Sequence, residues 1–418
     1  MAATVGFGAI RNALSNRNFR RFSIGNLVSQ LGTWVQRIAV GWLTWELTES
    51  PTWLGVIAFA DLFPTMLIAP LAGAVADRVD RLTALRLFQA LAMLQGAVLA
   101  ALVMTGAMTI WWLLGLTIFL GVVMAFNQPL RLSLTPSLVA RQDLSSAIGI
   151  NSLIFNIARI GGPALAGFLI FHWGVGPAFA FNAASFLAFI VALSVLDLPD
   201  RKLNRVGKPI REIPVEIVEG VRYTVRHQGM RSIFIVLSVV ALCGRPVTEL
   251  LPGFAADVFG RGADGLAMLT SAMGVGAVIG GVNIARRGGV AGMTRYVVTS
   301  IFFLGVALVA FTASSDIWIA LPCMALAGFA MVSVGVGEQT LVQNAVAAGV
   351  RGRVLSLYGM LARGMPALGA LVMGALSSWF GLRWPVVGGA VACFLLFLWA
   401  RPNVPMMAAA LEGEPDAG

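Results

Sequence analysis

The chain has 418 residues, of which 58% are hydrophobic and only 11% charged, and its mean hydropathy is +0.85. Soluble domains carry roughly 25% charged residues, so a large soluble protein is excluded for lack of polar surface. The formal net charge of +10 does not indicate nucleic acid, because the arginines are dispersed between apolar runs, as the positive-inside rule of membrane proteins requires.

In chain order, Met1 to Asn18 is polar and basic and lacks the apolar core of a removable signal. Apolar runs long enough to cross a bilayer, which takes about 20 residues, follow at 22–46, 53–75, 83–104, 109–130, 144–171 and 176–198. After a polar stretch, a second set is expected at 231–256, 263–285, 293–313, 316–338, 354–378 and 384–400. In lipid, backbone polar groups must be satisfied within the segment, so these spans are predicted to be helices. The expected organisation is an N-terminal six-helix bundle over 1–198, a linker over 199–230, a C-terminal six-helix bundle over 231–404 and a disordered tail over 405–418. Within the linker, Ile213, Ile217, Val221 and Val225 recur at helical spacing beside Glu216, Glu219, Arg222 and Arg226, which predicts an amphipathic helix on the cytoplasmic surface.

With the N-terminus inside, 23 of the 29 Lys and Arg residues fall on the cytoplasmic side. Both termini are therefore predicted to be cytoplasmic. Trp45, Trp53, Trp111, Trp112, Trp173, Trp318, Trp379 and Trp384 fall near the outer ends of spans, as an interfacial belt does. Cys243, Cys323 and Cys393 are isolated in apolar runs and frame neither a disulfide set nor a metal site. No cofactor is expected, and no Gly-x-x-x-x-Gly-Lys-Ser/Thr motif for ATP is present.

The turn between the second and third spans reads Gly73-x-x-x-Asp77-Arg78, followed by Arg81. Gly73 permits close helix approach, and Asp77, Arg78 and Arg81 could form a charge cluster that breaks when that contact opens. The plainer reading is a hydrated, positively charged turn. A shift of 208 residues carries Arg37 onto Arg245 and Gly73 onto Gly281, and a shift of 204 carries Ala158-Arg159 onto Ala362-Arg363. Matches in one order at nearly one period argue for two related halves.

Gly73 to Thr83 resembles the loop signature of the major facilitator superfamily. Asn127-Gln128-Pro129, Pro136, Asp143-Leu144, Asn151-Ser152-Leu153, Asn156, Ala158-Arg159 and Gly162-Pro163-Ala164-Leu165 resemble its bacterial branch of enterobactin-type siderophore exporters and macrolide efflux pumps. The resemblance implies an all-α membrane protein of twelve transmembrane helices in two pseudo-symmetric six-helix bundles. It also implies that Asp77 and Arg78 help lock the outward-facing state. Gly162-Pro163 and Gly167 match the antiporter signature of the fifth helix in part, without its upstream glycine.

Several ionisable groups lie within spans, where each costs about 2.5–3.5 kcal/mol on insertion scales. Arg37 and Asp61 lie at similar depth and are candidates for a pair. Arg245 and Glu249 are four apart and share a helix face. These four are the candidate proton or charge relay, with purely structural ties as the alternative. Gln30, Trp34, Asn151, Asn156, Arg159 and Arg363 are candidates for a central cavity; the two arginines could instead bond carbonyls freed by nearby prolines. Glu338, beside Gln339 and Gln343, is read as an interfacial acid rather than a gate.

The expected activity is secondary active transport by alternating access, with proton-coupled export of a small amphipathic drug-like or siderophore-like molecule as the leading reading. Uptake of a nutrient or lipid-like molecule is the alternative. The expected setting is a bacterial inner membrane, as a monomer without nucleic-acid partners. An intramembrane enzyme would need a nucleophile and base or a metal cluster at membrane depth, and no such grouping is seen.

Overall fold

The structure is a computed structural model describing residues 12–76, 79–196 and 213–413; among these residues there is no strand. The first helices are α1 (Arg17–Thr48), α2 (Pro51–Ala76), α3 (Arg81–Met104), α4 (Ile110–Leu138), α5 (Leu144–Trp173) and α6 (Val175–Ser194). A short helix, α7 (Ile213–Arg226), precedes α8 (Gln228–Val258), α9 (Ala263–Arg287), α10 (Met293–Ala313), α11 (Ile317–Ala345), α12 (Arg351–Phe380) and α13 (Arg383–Glu412). Eleven of these are long and apolar enough to cross a membrane. The remaining long helix, α1, has 32 residues, but Asn26, Gln30, Gln36 and Arg37 dilute its apolar character.

Several helices outrun their expected ends, because the sequence pattern marks the apolar core and not the turns that project beyond it. α4 continues to Leu138 rather than stopping at 130, which draws Arg131 into the helix. α11 continues to Ala345 rather than 338, which leaves Glu338 two turns inside. α13 continues through Pro402 and Pro405 to Glu412, correcting the disordered tail expected from 405. That extension is tied down. Glu412 accepts hydrogen bonds from the backbone N–H groups of Gly292 (2.6 Å) and Thr294 (2.8 Å) at the start of α10, where the exposed ends of helix N–H groups favour a carboxylate. The Asn344 amide donates to Leu411 O at 3.0 Å.

The chain forms two compact units. The first contains residues Met1–Leu43 and Leu67–Lys208. There α1 meets α6 closely: a side chain at Gly32 would collide with Ser185 and Asn182. A chain of buried amides runs through this packing. Asn182 Nδ2 donates to Gln36 Oε1 (2.7 Å), Gln36 Nε2 to Gln95 Oε1 (3.0 Å) and Gln95 Nε2 to Leu116 O (3.2 Å). Ser185 completes it by donating to Asn182 Oδ1 at 3.0 Å.

The second unit contains Thr44–Met66 and Pro209–Gly418. α9 and α11 press backbone to backbone here. A Cβ on Gly276 would strike Ala325 O, and one on Gly328 would strike Met273 O. Small residues allow this approach, which supplies packing where lipid removes the hydrophobic drive. The first turns of α2 sit against α12 in the same way, with Gly55 against Ala370 O and Gly374 against Pro51 O. Thr52 and Ser378 share a hydrogen bond of 2.6 Å. Trp45, expected in the interfacial belt, is instead 5% exposed and packs on Gly253. Trp111, Trp112, Trp173, Trp318, Trp379 and Trp384 are exposed.

Candidate functional site

The most unusual side chain in the second unit is Glu338. It is 0% exposed, and neither carboxylate oxygen has a hydrogen-bond partner. A buried charge is costly unless it is paired and hydrogen-bonded. Its neighbours are Arg245 of α8 and Tyr358 of α12, both close enough to interact with it electrostatically.

Each member is positioned by a local feature of its helix. Glu338 lies seven residues before Ala345, and Tyr358 seven residues after Arg351. At 1.5 Å per residue, both are about 10 Å from the connection between α11 and α12, and so at one depth. Tyr358 donates from its hydroxyl to Gly335 O at 3.1 Å, one turn from Glu338. Its ring meets Phe234 edge-on, with centroids 6.4 Å apart.

Arg245 follows a π-helical turn, Val240–Gly244, in which Arg245 N bonds to Val240 O at 3.0 Å. The extra residue in that turn shifts the register of everything beyond it, and such turns recur at functional positions. Two neighbouring helices hold the turn. Gly369 of α12 abuts Leu242 O and Pro246, and Gly389 of α13 abuts Cys243 O. The result aims Arg245 at α11, where Nη2 lies 2.7 Å from the place a Cβ on Gly335 would occupy. Gly335 is thus the notch that admits the guanidinium. Beside the turn is an apolar cavity of about 350 Å³ lined by Cys243, Val372, Met373, Phe380 and Trp384 among others.

The other sequence candidates fall in both units. The Thr248 hydroxyl, with one proton to give, lies 3.2 Å from Glu249 Oε1 and 3.0 Å from Arg245 O. Arg245 itself reaches across to Gly335, so its environment is α11 as well as its own helix. Arg37 belongs to the first unit, exposed and 5.7 Å from the Trp34 ring centre. Asp61 belongs to the second unit, half-buried on α2. Trp34 packs edge-on against Phe155, and a side chain at Gly162 would strike it. Asn151 donates to the Thr135 hydroxyl at 3.1 Å, tying α5 to α4. Asn156 donates to Ser152 O on its own helix. Gln30, Arg159 and Arg363 are half-buried.

Of the charged turn, Asp77 and Arg78 lie outside the described residues, and Gly73 is described only as part of the α2 backbone. Arg81 donates to Ser133 O of α4 at 3.3 Å. Asp80 caps α3 by accepting from Thr83 N at 2.8 Å. Hydrogen bonding from Thr83, with the positive charge of Arg86, holds the Asp80 carboxyl below its ordinary range.

Glu338 and Tyr358 are the residues that sequence reasoning misplaced or passed over. The available signal was Gly335-Val-Gly337-Glu338: glycines around an acid mark a helix face that another helix covers.

Comparison with known proteins bears on what such a site serves. A family model described as transmembrane secretion effector matches residues 10–414. The chain is 27% identical to the Staphyloferrin A transporter of Staphylococcus aureus (strain NCTC 8325 / PS 47), over 88% of this chain and 91% of that one. It is 24% identical to the multidrug efflux pump Tap of Mycolicibacterium fortuitum, over 85% and 88%. It is 27% identical to the enterobactin exporter EntS of Salmonella typhi, over 85% and 82%. A solved POT family transporter in complex with 5-aminolevulinic acid superposes with a TM-score of 0.74 at 10% identity, covering 94% of this chain and 97% of that one.

Proposed function

The chain belongs to the transmembrane secretion effector family of the major facilitator superfamily, and from that premise we propose that it exports a small amphipathic molecule in exchange for protons. Transport across the membrane follows from the family; direction, cargo and coupling are our reading. Relatives named for siderophores and for multidrug efflux support an amphipathic cargo leaving the cell. The proposed protein is a monomer of the bacterial inner membrane with both termini cytoplasmic. Its two halves rock about a site near mid-membrane, as in other transporters built from repeats. The Gly73, Asp77, Arg78 and Arg81 turn is the proposed lock on one end state.

The observation that carries proton coupling is Glu338: a sealed carboxylate without a hydrogen bond, beside an arginine. A carboxylate that takes a proton in one state and gives it up in another links the gradient to the cycle. Glu338 thus joins Asp61 and Glu249 among the candidate carriers and is the one we favour.

The test uses inverted membrane vesicles supplied with a catecholate siderophore, a macrolide or an amphipathic dye, with and without an imposed pH gradient. Glu338→Gln should lose at least about tenfold in gradient-driven accumulation, roughly 1.4 kcal/mol of coupling, while keeping downhill flux. Full accumulation by this variant, with loss in Asp61→Asn or Glu249→Gln, would move the proton to those residues. Accumulation indifferent to the gradient in the unaltered protein would end the proton reading.

A further inference from the structure

The short helix α7 presents three arcs. Glu219 binds Arg353 at 2.7 Å, Gly220 lies against Arg353 O, the Tyr223 hydroxyl accepts from Ala347 N at 3.5 Å, and Thr224 is buried. These residues form the docked arc, held to the start of α12. At about 100° per residue, Val218, Val221 and Val225 fall together on an arc of roughly 60°. They are 65%, 41% and 57% exposed. Arg222 and Arg226 lie between the two arcs and are exposed as well.

A valine stripe open to solvent, edged by arginines, fits the boundary of a bilayer, where apolar side chains enter the acyl region and cations stay among headgroups. The location agrees. Only His227 separates α7 from α8, a membrane span. That corner is fixed by the His227 ring, which accepts from Met230 N at 3.2 Å. Arg231, one turn into α8, is exposed and adds a third cation. A helix so placed cannot stand far from the headgroups at that end of α8. Anionic phospholipids attract such juxtamembrane basic groups.

We propose that α7 is a lipid-binding helix. Val218, Val221 and Val225 enter the leaflet, and Arg222, Arg226 and Arg231 hold the phosphates of anionic phospholipids. Through Glu219 and Arg353, that contact bears on the start of α12, the helix that carries Tyr358 to Glu338. The binding itself stands apart from the transport reading; only this consequence for α12 rests on it.

The test places the full chain in nanodiscs of phosphatidylcholine, with or without phosphatidylglycerol, with a nitroxide on Val225→Cys. The labelled parent protein supplies the background from Cys243, Cys323 and Cys393. The expected result is a label open to oxygen and shielded from a water-soluble nickel chelate in phosphatidylglycerol discs. Adding Arg222→Gln and Arg226→Gln should raise nickel access severalfold, with the melting temperature unchanged as the sign of an intact fold. Nickel access equally high in every disc would overturn the proposal. A shielded label indifferent to phosphatidylglycerol and to the arginines would overturn its anionic part. Neither outcome depends on any transport measurement.

Discussion

Two of the buried polar clusters among the described residues are built on opposite rules. In the first unit, the amides of Gln36, Gln95 and Asn182 are joined so that every oxygen and nitrogen among the three has a partner, with Ser185 and Leu116 O closing the ends. In the second unit, Glu338 has two oxygens with none. The first cluster is neutral and complete, which is what holding helices together in lipid requires. The second is ionisable and incomplete, a condition that contributes nothing to passive packing. On the proposed reading, the difference separates a polar group retained for architecture from one retained for a change of state.

The sharpest way to break the contrast is to remove one charge of the incomplete cluster. Arg245→Gln removes a half-buried guanidinium that acts electrostatically on Glu338 without an ion-pair contact, and a loss of about 2 kcal/mol is expected. The melting temperature should fall. The double variant Arg245→Gln with Glu338→Gln should recover much of that loss while transporting no better. Equal melting temperatures for the single and double variants would mean that the two residues do not interact, and the cluster would dissolve as a unit.

The complete cluster should respond in the other order, with stability lost and coupling kept. Gln95→Leu removes its bonds to Gln36 and Leu116 O. Interhelical hydrogen bonds in membranes average about 0.6 kcal/mol and reach about 1.7, so a loss of about 1–2 kcal/mol is expected. Gradient-driven transport per folded molecule should stay within twofold. A coupling defect in this variant would show that the amides take part in the cycle and would erase the distinction.

How much of this could be read beforehand depends on which physical rule governed each residue. Bilayer thickness leaves a periodic record, so the long helices and their order were legible. Helix ends were not, because turns beyond the apolar core leave no hydropathy signal. That error moved Glu338 from two turns inside α11 to its end and left Arg131 outside α4, although Arg131 bonds Asn26 at 2.8 Å and lies over the Phe189 ring. Arg245 was legible as a charge in a span. Its direction was not, since the π turn that sets it arises from packing against Gly369 and Gly389. Trp45 followed a rule about helix ends that its burial against Gly253 overrode.

The smallest expected effect comes from a polar group that is complete but open to water. Asp80 is exposed at the head of α3 and accepts from Thr83 N. Loss of an N-cap costs about 1 kcal/mol, so Asp80→Ala should lower stability slightly and leave transport unaltered. The pH dependence gives the sign. The folded carboxyl is held below its ordinary value of 3.8 by hydrogen bonding from Thr83 and by Arg86. The cap is therefore at full strength above that value and fades as the pH falls through the lower, folded one. Melting of the parent protein and of Asp80→Ala should run parallel from neutral pH down to about 4 and converge below it. Convergence at a higher pH would mean that some other carboxyl had been mistaken for the cap. Parallel curves throughout would mean that the hydroxyl of Thr83, or water, can cap this helix as well as Asp80 does.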